Sequence, residues 1–348
     1  MKKKISALLA LILILSSLCS CKAEKSYGIL KLDSGEVKVS SFIKLNGKEI
    51  SYDLFRYSFL TQKANIESQG GEVDWPKQEN IDILLDETVT QLKFFTTVSE
   101  LCKKYNVSVN DDILADVDST MKTIYDGAKS AEEYKKILSE NYLTPEIYEE
   151  VLTYNALYTY MEQNLVGKDK DKYQITFTEE EALESFKKTH ARLPSIYFPV
   201  QTANEDGSQI TEEQYKKYYD DAKKKADEAY NKAKTKGFEV MLRDYLSEED
   251  VKLSMNSYYD MASISQSVGF DVSDIKVGEI ANPICSQNNF FVIQRAETDI
   301  EYVKQNLMDE VNSACVIEKF GEIVSKTMDG IKVEKLEHFD KINTKTLV

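Results

Sequence analysis

TEEEALESFKKTHARLPSIYFPV, residues 178–200, is the stretch where the chain changes its structural period. Thr178 followed by Glu181 is a capping box, in which each side chain satisfies a backbone N–H of the other residue. A helix is therefore expected from there to about His190. Ser195 to Val200 then reads as a short β-type run, rich in branched and aromatic residues. Most of the chain before this stretch reads as helix, and most of the chain after it is mixed.

On the N-terminal side, Phe42 to Ile50 predicts a hairpin, with two short apolar stretches flanking Asn46-Gly47. Ser51 offers an N-cap, and Leu54, Phe55, Phe59 and Leu60 form a helical stripe. A long helix is expected over Asn80–Tyr105, because Ile81, Leu84, Leu85, Thr88, Leu92, Phe95, Val98 and Leu101 recur at three- and four-residue steps. Asn110 caps another helix, and Ser130 to Glu133 form a further capping box. Thr144-Pro145 places a cap before a proline at the first helical position, opening a helix to about Leu165. Residues 51–165 thus read as a helical array, closed by a charged linker at 167–172.

On the C-terminal side, Thr211 and Gln214 cap a charged helix to Lys236, with Tyr218, Ala222, Ala226, Tyr230 and Ala233 facing inward. Residues 270–295 return to strand and turn. A final helix is expected from Tyr302 to Met328, and a polar tail after it. The fold class is α+β, a discontinuous helical domain with a small α/β domain inserted in it. The expected boundaries are 42–175 for the helical domain, 176–300 for the insert with its leading helix, 301–335 for a helix packing back on the first domain, and 336–348 for the tail.

The first 21 residues, MKKKISALLALILILSSLCSC, carry three lysines, an apolar run over 5–18, and small residues before a cysteine. That pattern is a secretory signal, too short to span a bilayer. Leu18-Cys19-Ser20-Cys21 resembles a bacterial lipobox, which implies lipid on Cys21 and a place on the outer face of a membrane; within the tether expected over 21–41, the polar residues 22–38 read as a tether or a frayed entry strand. Loss of Lys2, Lys3 and Lys4 with the leader takes the formal charge from −15 to −18. So acidic a chain repels phosphate backbones, and nucleic acid is excluded as a partner. Cys102, Cys285 and Cys315 are too widely spaced to set a disulfide framework, and pairing among them is left open.

The order of elements and several phrases resemble the SurA/PrsA-type extracytoplasmic folding factors, whose helical chaperone region is followed by a parvulin-like peptidyl-prolyl isomerase domain. Leu45 to Ser51, Asn106 to Ile113 and Leu143 to Glu146 carry the likeness in the helical part. Lys236 to Leu242 and Ile275 to Pro283 carry it in the second. The resemblance implies a chaperone that holds unfolded or newly secreted polypeptides, attached to the membrane through Cys21, with a homodimer left open. It also implies two core histidines in the parvulin-like sheet. Ser195 and Phe291 stand at those positions, and the glycine pair usual before the pocket is missing from Met255 to Gly269. Isomerase activity is therefore expected to be lost or reduced, with Ile196, Phe198 and Met261 as weaker peptide-binding candidates. An active isomerase is the alternative reading, and a solute-binding lipoprotein a second. Two distant histidines, His190 and His338, offer no zinc constellation, and no cofactor or metal is expected.

Overall fold

The computed structural model describes residues 27–69, 73–204 and 206–347; the leader and Cys21 lie outside that range. The chain divides into two compact units, one formed by residues up to Ile175 together with those from Lys319, the other by Thr176–Glu318. The architecture is α+β, with helices dominant and the sheets small.

The first unit opens with a hairpin where a tether was expected. β1 (Gly28–Leu32) pairs antiparallel with β2 (Gly35–Val39), and Leu30 is fully buried. Gly28 is required by close approach, since a Cβ there would meet the Tyr52 ring at 1.8 Å. β3 (Ile43–Leu45) and β4 (Lys48–Glu49) form the hairpin read at Asn46-Gly47, and both turn residues have positive φ, 49° and 79°. β3 pairs on its other edge with β12 (Val333–Lys335), almost the length of the chain away.

Helix α1 (Tyr52–Ser68) starts at the Ser51 cap. Helix α2 (Gln78–Tyr105) buries the stripe from Ile81 to Leu101 and ends at Asn106 in the left-handed region. α3 (Asp111–Gly127), α4 (Ala131–Glu140) and α5 (Pro145–Leu165) follow, capped by Asn110, Ser130 and Thr144. α5 packs on α2 and α3. Tyr154 of α5 stacks on Phe95 at 5.1 Å, and Tyr158 meets Phe320, from the last helix of the chain, edge-on at 5.1 Å. After α5, the two-residue strands β5 (Val166–Gly167) and β6 (Ile175–Thr176) pair with each other.

The C-terminal segment differs from its expectation as a polar tail. Phe339, Ile342 and Leu347 are buried, Phe339 packs edge-on against Phe55 at 6.3 Å, and the Lys31 N–H donates to the Thr346 carbonyl at 3.0 Å. Three apolar residues among polar neighbours show no period, because the segment is held through turns rather than along a helix or strand face.

In the second unit the capping box at Thr178 and Glu181 is complete and opens α6 (Glu179–Thr189). The strand after it comes in two halves, β7 (His190–Arg192) and β8 (Ser195–Pro199), parted at Leu193-Pro194. β8 pairs with β11 (Asn289–Ile293), β11 with β10 (Ile284–Ser286), and β7 with β9 (Tyr258–Asp260). The Gln294 and Ala296 N–H groups donate to the Pro194 and Arg192 carbonyls, so the extension of β11 runs on beside the break. Four antiparallel lanes result, in the order β10, β11, β8/β7, β9.

One face of this sheet is covered by α7 (Glu212–Lys236). Its Ala222, Ala226, Ala229 and Ala233 lie against Ile196, Phe198, Phe290 and Val292, and side chains this small let the helix sit close on the sheet. Gly237, at φ 95°, stops α7 before α8 (Phe238–Leu242), and α9 (Glu248–Met255) completes that layer. On the opposite face α10 (Met261–Val268) covers part of the sheet. The last helix is interrupted at Leu307, giving α11 (Ile300–Asn306) and α12 (Met308–Asp329) in place of one continuous helix.

Candidate peptide-binding face of the second unit

Strand alternation sorts the candidate residues into two sets. Ser195 pairs with Ile293 and Tyr197 with Phe291, so Ser195, Tyr197 and Phe291 share the face away from α7. Tyr197 is largely exposed, and its ring stands 6.2 Å from that of Phe291. Ile196 and Phe198 point the other way and are buried in the core beneath α7. Ser195 is held through its backbone: its N–H donates to Ser254 Oγ at 3.2 Å, and the Ser254 hydroxyl donates to the Ser195 carbonyl at 3.1 Å.

Met261 begins α10, half-buried against Ala191, Leu193, Val268, Val272 and Ile293, in a cluster that Phe270 and Phe291 also join. Phe270 meets Phe291 edge-on at 6.3 Å. The rings of Tyr197, Phe291 and Phe270 thus form a row along the uncovered part of the sheet. Beside it lies an open, largely apolar groove of about 640 Å³, lined by Met261 and Phe270 and rimmed by Lys188, Asp260 and Asp271. Its size suits one or two side chains of an extended peptide.

Asp260 caps α10, its Oδ1 accepting the Ser263 N–H at 2.8 Å, and that bond holds its carboxyl below the ordinary range. Asp271 accepts the Ser273 N–H at 2.9 Å, and its bonds to Ser273 lower it in the same way. Neither aspartate was singled out from the sequence. The available signal was Asp-x-x-Ser at 260–263, hidden because β9 is only three residues long.

His190 is the first residue of β7, opposite Asp260, and precedes the strand of Ser195. Its ring stacks on Phe186 at 4.4 Å, and Nδ1 lies 2.9 Å from Thr189 Oγ1. Burial lowers its pKa, which keeps it neutral at pH 7. His338 lies in the first unit. No histidine therefore stands beside Ser195 and Phe291. Among the described residues no group of His, Cys, Asp and Glu is placed to hold a metal ion. Cys102, Cys285 and Cys315 are in no disulfide.

Prolyl isomerisation makes and breaks no covalent bond. It needs a pocket that grips the twisted amide against a barrier of about 18–20 kcal/mol. The aromatic row and the groove can bury an apolar side chain. Ser195 can donate and accept a hydrogen bond, whereas the Phe291 side chain does neither.

Residues 1–162 match the family of the SurA-like N-terminal domain. No curated protein matches the chain. Among solved structures, the foldase protein PrsA from Streptococcus pneumoniae is 17% identical, covers 74% of this chain and 91% of its own, and has a TM-score of 0.27. PrsA from Bacillus subtilis is 17% identical, covering 88% and 92% with a TM-score of 0.25. The peptidylprolyl isomerase PrsA from Bacillus anthracis is 15% identical, covering 70% and 94% with a TM-score of 0.27. What the chain shares with a known family is therefore a SurA-like N-terminal domain over residues 1–162.

Proposed function

We propose that the chain is a chaperone of secreted polypeptides, anchored outside the cell by lipid on Cys21, whose second unit holds peptide without effective prolyl isomerisation. The SurA-like N-terminal domain supports the chaperone reading. The observation that carries the catalytic part is the pair Ser195 and Phe291 on one face of the sheet, with His190 and His338 both elsewhere. The anchoring reading rests on the lipobox, and among the described residues no helix is long and apolar enough to cross a membrane.

Two assays on one preparation test this. Light scattering of a reduced, aggregating client should fall at equimolar chaperone, and no suppression refutes the holding role. Cis-to-trans conversion of a proline tetrapeptide should run at the uncatalysed rate. A clear acceleration, lost on Phe291→Ala, would establish the active isomerase instead, a reading favoured by the apolar groove beside Phe291. Metabolic labelling with palmitate tests the anchor, since Cys21→Ser should abolish incorporation.

A further inference from the structure

The groove beside α10 has a charge character that the apolar wall does not account for. Lys188, Asp260 and Asp271 are the charged residues that line it. Lys188 is engaged elsewhere, its ammonium 2.7 Å from a Glu318 carboxylate oxygen. Asp260 and Asp271 make no ion pair among the described residues, and His190, which faces Asp260 across the strands, is neutral at pH 7. Each aspartate uses Oδ1 for a backbone N–H. Asp260 also takes a hydrogen bond from the Ser263 side chain, and Asp271 from those of Ser273 and Ser265, so both carboxylates are held by neutral donors. The site is thus an apolar trough with two uncompensated negative charges on its rim.

We propose that this groove selects extended polypeptide segments in which a large apolar residue, or proline, is flanked by lysine or arginine. The apolar side chain lies against Met261 and Phe270, and the flanking cation meets the negative charge of the Asp260 and Asp271 carboxylates. This inference rests on the peptide-holding role of the second unit and adds the chemistry of what is held. Complementary charge at a rim contributes selectivity and association rate more than affinity, and is screened by salt.

The test uses the whole mature chain and two fluorescent peptides with the same apolar-proline core, one flanked by lysines and the other by glutamates. At low salt the lysine peptide should bind about twofold to tenfold more tightly, the range expected of two exposed charge contacts. Asp260→Asn with Asp271→Asn should remove most of that preference, since asparagine keeps both cap bonds and loses only the charge. The chain's net charge attracts lysine peptides everywhere, so the control is Asp116→Asn with Asp118→Asn, exposed on α3. That pair should leave the preference nearly intact. Equal loss in both variants assigns the effect to overall charge and overturns the proposal. Equal binding of the two peptides by the unmodified chain also overturns it, while leaving the peptide-holding role standing. Binding of neither peptide removes both. Should the double variant fold poorly, Asp271→Asn alone decides: it must remove a clear part of the preference, and Asp116→Asn alone must not.

Discussion

Phe339→Ala should destabilise the first unit by about 3–4 kcal/mol, although the residue lies in a segment, 336–348, that reads as a polar tail. Its ring is 3% exposed, packs edge-on against Phe55 and lies beneath the Lys335 ammonium at 4.6 Å. Truncating a buried phenylalanine costs about 3–5 kcal/mol including the cavity left behind. Roughly 0.5–1.5 kcal/mol of that belongs to the aromatic pair. The site is close to the surface and can collapse in part, which places the expected value low in the range. Against a typical domain stability of about 5–15 kcal/mol this is a large fraction.

Trp75 is the only tryptophan and lies in the first unit, its indole N–H donating to Glu67, so urea unfolding followed by its fluorescence reports that unit separately. Phe339→Leu should cost less than about 1.5 kcal/mol, because it conserves most of the volume. Deletion from Leu336 onward also removes Ile342, Leu347 and the backbone bond to Lys31, and should leave no cooperative transition in the tryptophan signal. A Phe339→Ala midpoint within about 1 kcal/mol of the unmodified chain would refute the view that this segment closes the core of the unit.

Glu150→Gln should stabilise the first unit at neutral pH. Burial raises the Glu150 carboxyl, so the folded state binds its proton more readily than the unfolded chain does; the gain should shrink as pH falls towards the ordinary carboxylate range, and thermal melts at two pH values read it. The Cys102 thiol, pushed up to about 11 by burial beside Met161, should resist iodoacetamide at pH 8 until urea unfolds the chain. Exposed Cys285 should be alkylated first, an order that peptide mass spectrometry resolves. His190 has the opposite sign from Glu150. Its folded pKa lies below the usual value, so the unfolded chain takes up the proton first and the second unit should lose stability as pH falls through about 6.5. A thermal melt of His190→Gln should show a weaker dependence over that window, and an unchanged one counts against the assignment.

What was legible in the sequence rested on strong local chemistry. The boxes at Thr178 and Thr211, the Asn46-Gly47 turn and the stripe of α2 each carry their own caps, turns or period, and each lies where it was read. The break at Leu307, the split strand at Leu193-Pro194 and the buried Phe339 were not legible, because contacts distant in sequence decide them. At the candidate site, pairing placed Ser195 and Phe291 together on one face. Ile196 and Phe198 stand one residue out of step with Ser195 and Tyr197, so the pleat turns them beneath α7. Asp260 and Phe270 join the groove through a three-residue strand and a two-turn helix, elements too short to announce themselves.

The pairing of Leu45 with Val333 has a consequence for how such a chain matures. Residues 176–318 are contiguous and can assemble before the rest of the chain is complete. The other unit needs its final strand and the segment ending at Leu347, so it is completed only after residues 176–318 have been made. Once the inner block has condensed, the loop to be closed is far shorter than the intervening sequence, and closure entropy grows only slowly with length. The unit that carries the SurA-like domain is thus the last to be completed.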